Sequence, residues 1–369
     1  MTWQEWAQAE RAAIQSAGLW RRVRDFDGRG PVGTIDGRRV VSFASNDYLG
    51  LSHHPAVVAA ARAAAESWGA GAGSARLIAG SRPIHSRLEN ELASWKGTER
   101  ALLFPSGFAA NLGVLSALGA PDVLVVSDEL NHASIIDACR LSRARIVVFP
   151  HRDADAVENL LADHDGRAIV VTDSVFSMDG DIAPLDALTG ACRRHRALLV
   201  IDEAHAVLGP EGDVAGIDSL RVGTLSKFLG AAGGFVAGPA PLIDLLTNRA
   251  RPFIFTTAGS PADAAAAGAA LRIVRSEEGT RLRARLRRLI DLLEPGHPSP
   301  IIPVVLGSEE SALAAAATLF DRGFLVPAIR PPSVPPDTAR LRITLSAAHT
   351  EEQVESLRRA LAEVRGVRA

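Results

Sequence analysis

Lys227 is the residue whose type and position most directly indicate chemistry. It follows a short apolar run at 221–224 and precedes the glycine pair Gly233 and Gly234. A buried ammonium is costly unless it is neutralised or used, and a Schiff base with an aldehyde removes its charge. The other lysine of the chain, Lys96, stands in a Trp-Lys-Gly sequence that is typical of a solvated helix end. Lys227 is therefore the candidate for attaching an aldehyde cofactor.

Asp202 and His205 form a second candidate, because they follow the apolar run 197–201. An unpaired carboxylate would be unfavourable there, whereas a protonated pyridine nitrogen is a suitable partner and makes the ring an electron sink. His205 would then be placed to donate to a phenolate oxygen of the ring. A metal site would need further His or Cys ligands nearby, and an ATPase would need a Gly-x4-Gly-Lys-Ser/Thr loop. The sequence offers neither.

Ser106 and Gly107 indicate a tight turn between the run at 101–104 and a helix-like segment. Free N–H groups at the start of a helix bind phosphate, although a plain helix cap would leave the same signature. The glycine-rich stretch 69–73 is not a dinucleotide-binding fingerprint. It follows a helix-like run, and Arg76 stands where the third glycine is required.

His132 and Arg342 are candidates on local evidence alone. The ring of His132 follows a predicted strand and could stack on an aromatic cofactor, but a structural histidine fits the same pattern. Arg342 alternates with apolar residues in a predicted strand, where an inward guanidinium would bind a carboxylate in a bidentate way. Arg340, two residues earlier, is interpreted as an exposed charge on an edge strand.

The elements that must position these side chains follow an α/β pattern. From about residue 100, apolar runs too short for helices alternate with helix-like segments, which is typical of a sheet covered on both faces. The runs lie at 101–104, 123–126, 146–149, 168–171, 197–201, 221–224 and 235–237. Polar residues follow six of them in succession. Because ligands bind at the carboxyl ends of strands in such sheets, these residues should line one pocket.

A smaller α/β domain is predicted after about residue 245. Its predicted helices and strands lie at 262–275, 281–293, 309–322 and 350–364, and at 301–306, 324–329 and 341–345, with a proline-rich break at 295–303. We expect an N-terminal arm at 1–45, a large domain at 46–245 and a small C-terminal domain at 246–369.

Composition excludes several classes of protein. The chain has 369 residues, of which 47% are hydrophobic, and a formal net charge of −2. There is no basic excess for binding nucleic acid, no apolar stretch of membrane-spanning length and no signal-peptide pattern. Cys139 and Cys192 have neither metal-ligand spacing nor the density of a disulfide framework. We therefore expect a cytoplasmic protein without metal, membrane or nucleic-acid partners.

Six stretches of the sequence together resemble the α-oxoamine synthases, a family of fold-type-I pyridoxal 5'-phosphate (PLP) enzymes. They are spread along much of the chain, at 44–51, 106–111, 131–134, 173–181, 202–205 and 224–227. The resemblance implies a PLP-dependent transferase whose large domain holds a mostly parallel, seven-stranded sheet. It also implies a homodimer, in which Thr256 and Thr257 reach the phosphate bound by the partner subunit.

The resemblance further implies a role for each matching residue. Lys227 matches the Schiff-base lysine, Asp202 the partner of the pyridinium nitrogen, and His205 the group near the phenolate oxygen. His132 matches the histidine that stacks on the ring. The other implied cofactor positions are Ser106, Gly107, Phe108, Ser174 and Thr224. The implied substrate positions are Arg21, Asn46, His132, Ser333 and Arg342.

Segments 328–335 and 338–349 resemble the family members that condense L-alanine with a pimeloyl thioester, carried by coenzyme A (pimeloyl-CoA) or by an acyl carrier protein. One alternative is a sister synthase of the glycine C-acetyltransferase type. Another is a PLP-binding regulator without catalysis. Such regulators usually carry an added DNA-binding segment, and only about forty residues precede Ser45 here.

Two departures from the family pattern bear on the site. Ala75 stands where many members have the serine of a Gly-Ser-Arg sequence, so a serine role is not expected there. The connection at 209–220 is shorter than usual, and the strand that follows it is expected to be trimmed.

Overall fold

The computed structural model describes residues 1–210 and 212–366. Its helices are α1 (Trp3–Ser16), α2 (Pro55–Trp68), α3 (Pro83–Lys96), α4 (Gly107–Leu118), α5 (Ala133–Leu141), α6 (Ala154–Ala162), α7 (Leu185–His195), α8 (Ala240–Arg249), α9 (Arg251–Ile254), α10 (Pro261–Val274), α11 (Glu277–Leu293), α12 (Glu309–Asp321) and α13 (Glu351–Gly366). Its strands are β1 (Asp27–Arg29), β2 (Val32–Ile35), β3 (Arg38–Ser42), β4 (Arg100–Phe104), β5 (Val123–Asp128), β6 (Arg145–Phe149), β7 (Arg167–Asp173), β8 (Leu198–Asp202), β9 (Ser219–Thr224), β10 (Gly234–Gly238), β11 (Ile301–Gly307), β12 (Phe324–Leu325), β13 (Ala328–Ile329) and β14 (Ala339–Thr344). Within the described ranges, no helix has the length and hydropathy required to cross a bilayer.

A seven-stranded sheet lies at the centre of the fold, in the order β4-β10-β9-β8-β7-β5-β6. Strand β10 pairs antiparallel with both of its neighbours, and the remaining pairs are parallel. The predicted mostly parallel sheet of seven strands is therefore confirmed. Each of the seven predicted apolar runs supplies one strand.

Alternate residues of each strand pack on opposite faces of this sheet. Val123 and Val125 of β5 belong to a core with α4 and α5, whereas Leu124 and Val126 belong to a core with α6 and α7. Successive side chains of a strand point to opposite faces, so a strand covered on both faces must be apolar throughout. That is why the strands appear in the sequence as continuous apolar runs.

The C-terminal part of the chain forms a second, antiparallel sheet in the order β11-β14-β13. A third sheet, β1-β2-β3-β12, joins the two ends of the chain, because Phe324 and Leu325 pair in parallel with Val41 and Ser42. The N-terminal arm is thus attached to the C-terminal part. The domain boundaries at 45 and 245 stay a prediction.

The structure corrects two predicted elements of the C-terminal part. The single strand predicted at 324–329 is two short strands that belong to different sheets, separated by Val326 and Pro327. Proline has no N–H to donate to a ladder, so it favours this interruption. The proline-rich break predicted at 295–303 is shorter, since β11 begins at Ile301. Strand β11 tolerates Pro303 because it lies at the edge of its sheet.

The strand after the short connection is not trimmed, contrary to expectation. Strand β9 has six residues, all buried, and pairs with β8 on one side and β10 on the other. The shorter connection therefore leaves intact the strand that leads to Lys227.

Lys96 is buried, so the prediction of a solvated helix end is wrong. Its Nζ lies 2.7 Å from Oε2 of Glu203, and the two side chains are 5% and 2% exposed. The other carboxylate oxygen of Glu203 binds Arg221, a buried residue of β9. One carboxylate thus pairs with two cations beneath the turn that carries Asp202 and His205.

Replacing Glu203 by leucine should strongly destabilise the protein. In Glu203→Leu both cations would stay buried after losing this carboxylate, which costs about 3–5 kcal/mol in the free energy of unfolding. The control is Asp244→Ala, which breaks the ion pair with Arg100; both side chains of that pair are 55% exposed. That change should cost less than about 1 kcal/mol. Urea unfolding of the two variants measures the difference, and equal losses would contradict the prediction.

Candidate active site

Lys227, His205 and Asp202 lie together at the carboxyl ends of β8 and β9. The Nζ atom of Lys227 is 2.7 Å from Nε2 of His205. Asp202 is the last residue of β8, and its Cα is paired with that of Asp173 at the end of β7. The backbone N–H of His132 donates to the Asp173 carboxylate at 2.8 Å. Four predicted site residues are therefore brought together through adjacent strand ends.

Asn111 holds the carboxylate of Asp202 in place. Its Nδ2 donates to Asp202 Oδ2 at 2.7 Å and to the hydroxyl of Ser134 at 2.9 Å. The backbone N–H of Ala204 donates to the other carboxylate oxygen at 2.9 Å. Asn111 was not among the predicted site residues. The available signal was a polar residue within the otherwise apolar helix α4.

Burial within the cluster makes the amine of Lys227 a weaker base than an ordinary lysine. Burial lowers the pKa of Lys227 to about 8, although the charges of Asp202 and Asp173 act in the opposite direction. Burial and the charge of Asp202 hold the pKa of Asp173 well above its ordinary value. A lysine with a pKa near neutrality can accept a proton from carbon, which an ordinary lysine cannot do at neutral pH.

Both histidines of the cluster are neutral at pH 7. Burial and the neighbouring positive charge of Lys227 hold the pKa of His205 well below its ordinary value. Burial also lowers the pKa of His132, against the opposing effect of Asp202. A neutral imidazole can both donate and accept a hydrogen bond, so the direction of each bond has to be worked out from its partners.

The turn at Ser106 lies against the strand that leads to Lys227. Ser106 caps α4 by accepting from the N–H of Ala109 at 3.1 Å. A side chain at Gly107 would come within 3.3 Å of Cβ of Thr224, and one at Gly234 within 2.4 Å of the Ser106 backbone. Only glycine allows the approach at Gly234, whereas a side chain at Gly107 would require Thr224 to shift slightly. The first N–H groups of α4, at Gly107 and the half-exposed Phe108, are thereby held near the cluster.

Two further predicted residues bind main-chain oxygens in this structure. The Ser174 hydroxyl is fully buried and donates to the carbonyl of Asp202 at 2.9 Å. The Thr224 hydroxyl contacts that of Ser226 at 2.7 Å and donates to the carbonyl of Gly233 at 3.0 Å. Both side chains therefore fix the loops that hold Asp202 and Lys227.

Arg342 is buried and directed to the same cluster, together with Asn46. Its guanidinium lies 3.3 and 3.4 Å from Oδ1 of Asn46 and donates to the hydroxyl of Thr344 at 2.9 Å. Arg340 is buried as well and pairs with Asp179. The prediction of an exposed edge-strand charge at Arg340 is wrong, because β14 is the central strand of its sheet.

Arg21 and Ser333 lie apart from the Lys227 cluster. Both line a cleft of about 650 Å³ between the N-terminal arm and the C-terminal part, with the apolar side chains of Phe320 and Ile329 among its walls. None of the cluster residues described above lines this cleft.

Thr256 and Thr257 lie on a segment that pairs with the backbone at Ala75. They line a small cavity of about 130 Å³ that also contacts Pro105 and Gly233, which flank the Ser106 turn and the Lys227 loop. The departure from the family pattern at Ala75 therefore lies beside this segment.

Two of the six polar strand ends, Asp128 of β5 and His151 after β6, pair with each other. His151 follows β6 and lies between two carboxylates, with Asp128 at 2.9 Å from Nδ1 and Asp181 at 2.8 Å from Nε2. Burial alone would lower the pKa of His151, but hydrogen bonds to Asp128 and Asp181 raise it to about 9. His151 is therefore a charged structural residue.

The contribution of His151 to stability should depend on pH. Its pKa is higher in the folded state than the unfolded value near 6.5, so its stabilisation is complete below pH 6.5 and is lost as pH rises through 9. His151→Gln should therefore reduce the free energy of unfolding by about 1–3 kcal/mol more at pH 6 than at pH 9.5. Denaturant unfolding at the two pH values measures this, and an equal loss at both would contradict it.

Comparisons with known proteins agree with this geometry. Residues 38–361 match the family model described as aminotransferase class I and II. The chain is 50% identical to the 8-amino-7-oxononanoate synthase of Anaeromyxobacter dehalogenans (strain 2CP-1 / ATCC BAA-258), over 98% of this chain and 95% of the relative. It is 46% identical to the protein of the same name from Geobacter sulfurreducens, over 95% of both chains.

Solved structures are similar in fold. A serine palmitoyltransferase from S. paucimobilis with bound PLP superposes with a TM-score of 0.90 at 30% identity, covering 97% of this chain and 96% of that one. An 8-amino-7-oxononanoate synthase from Francisella tularensis gives a TM-score of 0.75 at 28% identity, covering 89% of this chain and 98% of that one.

Proposed function

The chain belongs to the class I and II aminotransferase family, and from this premise we propose that it makes 8-amino-7-oxononanoate for biotin biosynthesis. It is a PLP-dependent acyltransferase that condenses L-alanine with a pimeloyl thioester. The products are 8-amino-7-oxononanoate, CO2 and the free thiol. One observation carries the proposal: the half-buried Lys227 contacts His205 through its amine, and the charge of Asp202 acts on the same amine.

The residues of the cluster fit PLP. Asp202 presents a carboxylate to a ring nitrogen, Lys227 an amine to an aldehyde, and the start of α4 offers unpaired N–H groups to a phosphate. Among the residues that the structure describes, the buried amide oxygen of Asn111 has no hydrogen-bond partner, as expected beside a polar group that the chain itself does not supply. When bound, PLP supplies an electron sink for negative charge at the α-carbon of the amino acid.

We propose for each cofactor residue the role that the family resemblance implies. Lys227 would hold the cofactor covalently, His132 would lie against the ring, and His205 would lie near the phenolate oxygen. The proposed phosphate and main-chain contacts come from Ser106, Gly107, Phe108, Ser174 and Thr224.

The chain's own groups provide the acid–base chemistry. We assign the carboxylate of L-alanine to Arg342 and Asn46, because a buried guanidinium binds a carboxylate in a bidentate way. The Nζ of Lys227, with its pKa lowered to about 8, accepts the α-proton and later returns it to the product. Asp202, fixed by Asn111, would keep the ring nitrogen of the bound cofactor protonated.

The cleft at Arg21 is assigned to the acyl donor. Apolar walls suit a methylene chain, and Arg21 and Ser333 suit the carboxylate at its far end. Arg22, Arg24 and Arg330 also line the cleft, so it would attract an anionic carrier as well. Because Arg21 is separate from Arg342, it is assigned to the acyl chain and not to L-alanine.

A homodimer in the cytoplasm is part of the proposal. Thr256 and Thr257 would reach the phosphate of the partner subunit. Near them the exposed apolar side chains of Leu77, Ile78 and Phe255 would be covered by a partner.

A single titration tests the proposal. The visible spectrum of the PLP-loaded enzyme should change when L-alanine is added and again when pimeloyl-CoA follows, and product analysis should find 8-amino-7-oxononanoate. Glycine, and acetyl-CoA, succinyl-CoA or a long acyl-CoA, serve as controls that separate the sister synthases. Pimeloyl-acyl carrier protein is offered in parallel to identify the carrier.

Two outcomes would overturn the proposal. Faster turnover of glycine with another thioester would assign the chain to a sister synthase. A PLP spectrum that responds to no amino acid would favour a regulator without catalysis.

A further inference from the structure

A continuous set of hydrogen bonds connects Arg342 to Lys227. The guanidinium of Arg342 lies 3.3 Å from Oδ1 of Asn46, and the Tyr48 hydroxyl lies 3.1 Å from the same oxygen. The Tyr48 oxygen lies 2.5 Å from Nδ1 of His205, whose Nε2 lies 2.7 Å from Lys227 Nζ. We call these five residues the Arg342–Lys227 relay. Tyr48 is the only tyrosine of the chain and was not among the predicted site residues.

The partners fix the direction of every bond. A guanidinium can only donate, so the Asn46 atom that faces Arg342 is the amide oxygen, which accepts from Tyr48 too. The single hydroxyl proton of Tyr48 is then used, and the Tyr48 oxygen must accept from Nδ1–H of His205. The remaining nitrogen, Nε2, carries a lone pair and accepts from the amine of Lys227.

The two central residues of the relay, Tyr48 and His205, are shielded from solvent and stay neutral. Tyr48 is fully buried and His205 is 4% exposed. Burial raises the pKa of Tyr48, with a smaller opposing effect of Arg342, so its hydroxyl stays protonated. The charged or titratable groups that face the histidine and the lysine are Asp202, Asp173, His132 and Arg342.

The segment that carries Asn46 and Tyr48 is held rigidly. The Asp47 carboxylate accepts from the N–H groups of Leu51 and Ser52 at 2.9 and 3.1 Å. The Ser346 hydroxyl donates to the carbonyl of Asp47 at 2.6 Å, just beyond the end of β14, which carries Arg342. The relay geometry is therefore set by the fold and does not require a ligand.

We propose that Tyr48 and Asn46 are positioning residues that determine which nitrogen of His205 carries the proton. In the cofactor-free protein they thereby present a lone pair of His205 to the amine of Lys227. This inference rests on the proposed function for its catalytic meaning, since Lys227 is the group that must exchange a proton with substrate. It gives Asn46 a second role, in addition to the substrate contact proposed above.

Loss of either residue should move the proton of His205 to Nε2. In Tyr48→Phe the Nδ1–H would be buried without an acceptor, which is unfavourable, so the other tautomer is preferred. In Asn46→Leu the Tyr48 hydroxyl has no acceptor except Nδ1 of His205, which gives the same tautomer. In both variants an N–H donor then faces the amine of Lys227 and favours its neutral form.

The test measures the amine of Lys227 directly in the full chain, free of cofactor and substrate. The pH dependence of its acetylation by limiting acetic anhydride is followed by mass spectrometry of the Lys227 peptide. The half-point should fall near pH 8 in the parent protein and about one unit lower in Tyr48→Phe and in Asn46→Leu. The double variant should show no further shift, because both changes break the same relay.

The control is Thr189→Val, which removes a buried hydroxyl in α7 without a change in side-chain shape. It should acetylate as the parent protein does, and melting temperatures of all variants separate relay effects from loss of folding. An unshifted half-point in a folded Tyr48→Phe protein, or additive shifts in the double variant, would overturn the inference. Because neither cofactor nor substrate is present, the result does not depend on whether the condensation assay succeeds.

Discussion

Lys227→Ala should abolish turnover and the visible absorbance of the bound cofactor. The variant lacks both the amine that would hold PLP and the group that would accept the α-proton, so we expect a loss in kcat of at least about 10⁴-fold. The fold should survive, because the Lys227 side chain donates to His205 but carries no ion pair of the core. Absorbance spectra and single-turnover product formation with L-alanine and pimeloyl-CoA measure the two effects.

The control for this variant uses the other lysine of the chain. Lys96→Met should keep the visible absorbance, because Lys96 pairs with Glu203 and takes no part in the Lys227 cluster. Borohydride reduction of the parent protein followed by peptide mapping should place the cofactor on Lys227. Finding it on Lys96, or normal turnover in Lys227→Ala, would show that the assignment is wrong.

Asp202→Asn should retain the cofactor and lose most of the activity. A neutral amide cannot hold a proton on the ring nitrogen, so we expect kcat to fall by at least about 100-fold, as when a charge-stabilising group is removed from other active sites. The substitution keeps the side-chain volume. The unpartnered oxygen of Asn111 can turn to accept from the new amide, so folding should be little affected.

The matched control is Asp181→Asn, which removes a carboxylate that pairs with His151 at the same edge of the sheet. Its kcat under saturating substrates should stay close to that of the parent protein. Equal losses in the two variants would mean that the charge of Asp202 has no special role.

The sheet could be predicted from the sequence because burial on both faces leaves a local signature. Most strands of the central sheet are continuous apolar runs, although β9 contains the buried Arg221, and a polar group at the end of a run is visible without knowledge of the fold. This is how Asp202 and Lys227, which follow different strands, were assigned to one pocket.

Buried charges could not be predicted in the same way. Lys96 and Arg340 look like surface residues because their partners, Glu203 and Asp179, are remote in the sequence. Burying these cations is compatible with a stable fold only because each one pairs with an acidic residue that the fold brings next to it. When each residue is considered by itself in the sequence, it is therefore predicted to be exposed to solvent.

Tyr48 was missed for a related reason. Its position in the 44–51 stretch is visible, but its partner His205 is brought to it only by the packing of that stretch against the central sheet. Asn111 could have been found, since an amide in an apolar helix needs a buried partner.

The placement of both lysines inside the protein leaves its outer surface without a single lysine amine, although the sequence has 40 lysine and arginine residues in total. Guanidinium groups supply the surface cations, and they are poor nucleophiles toward thioesters and aldehydes. An enzyme that works with both classes of electrophile is thereby protected from accidental acylation of its exterior. Reagents that attack amines should modify only the N-terminus and the catalytic centre, so coupling this protein to a support through lysine would inactivate it.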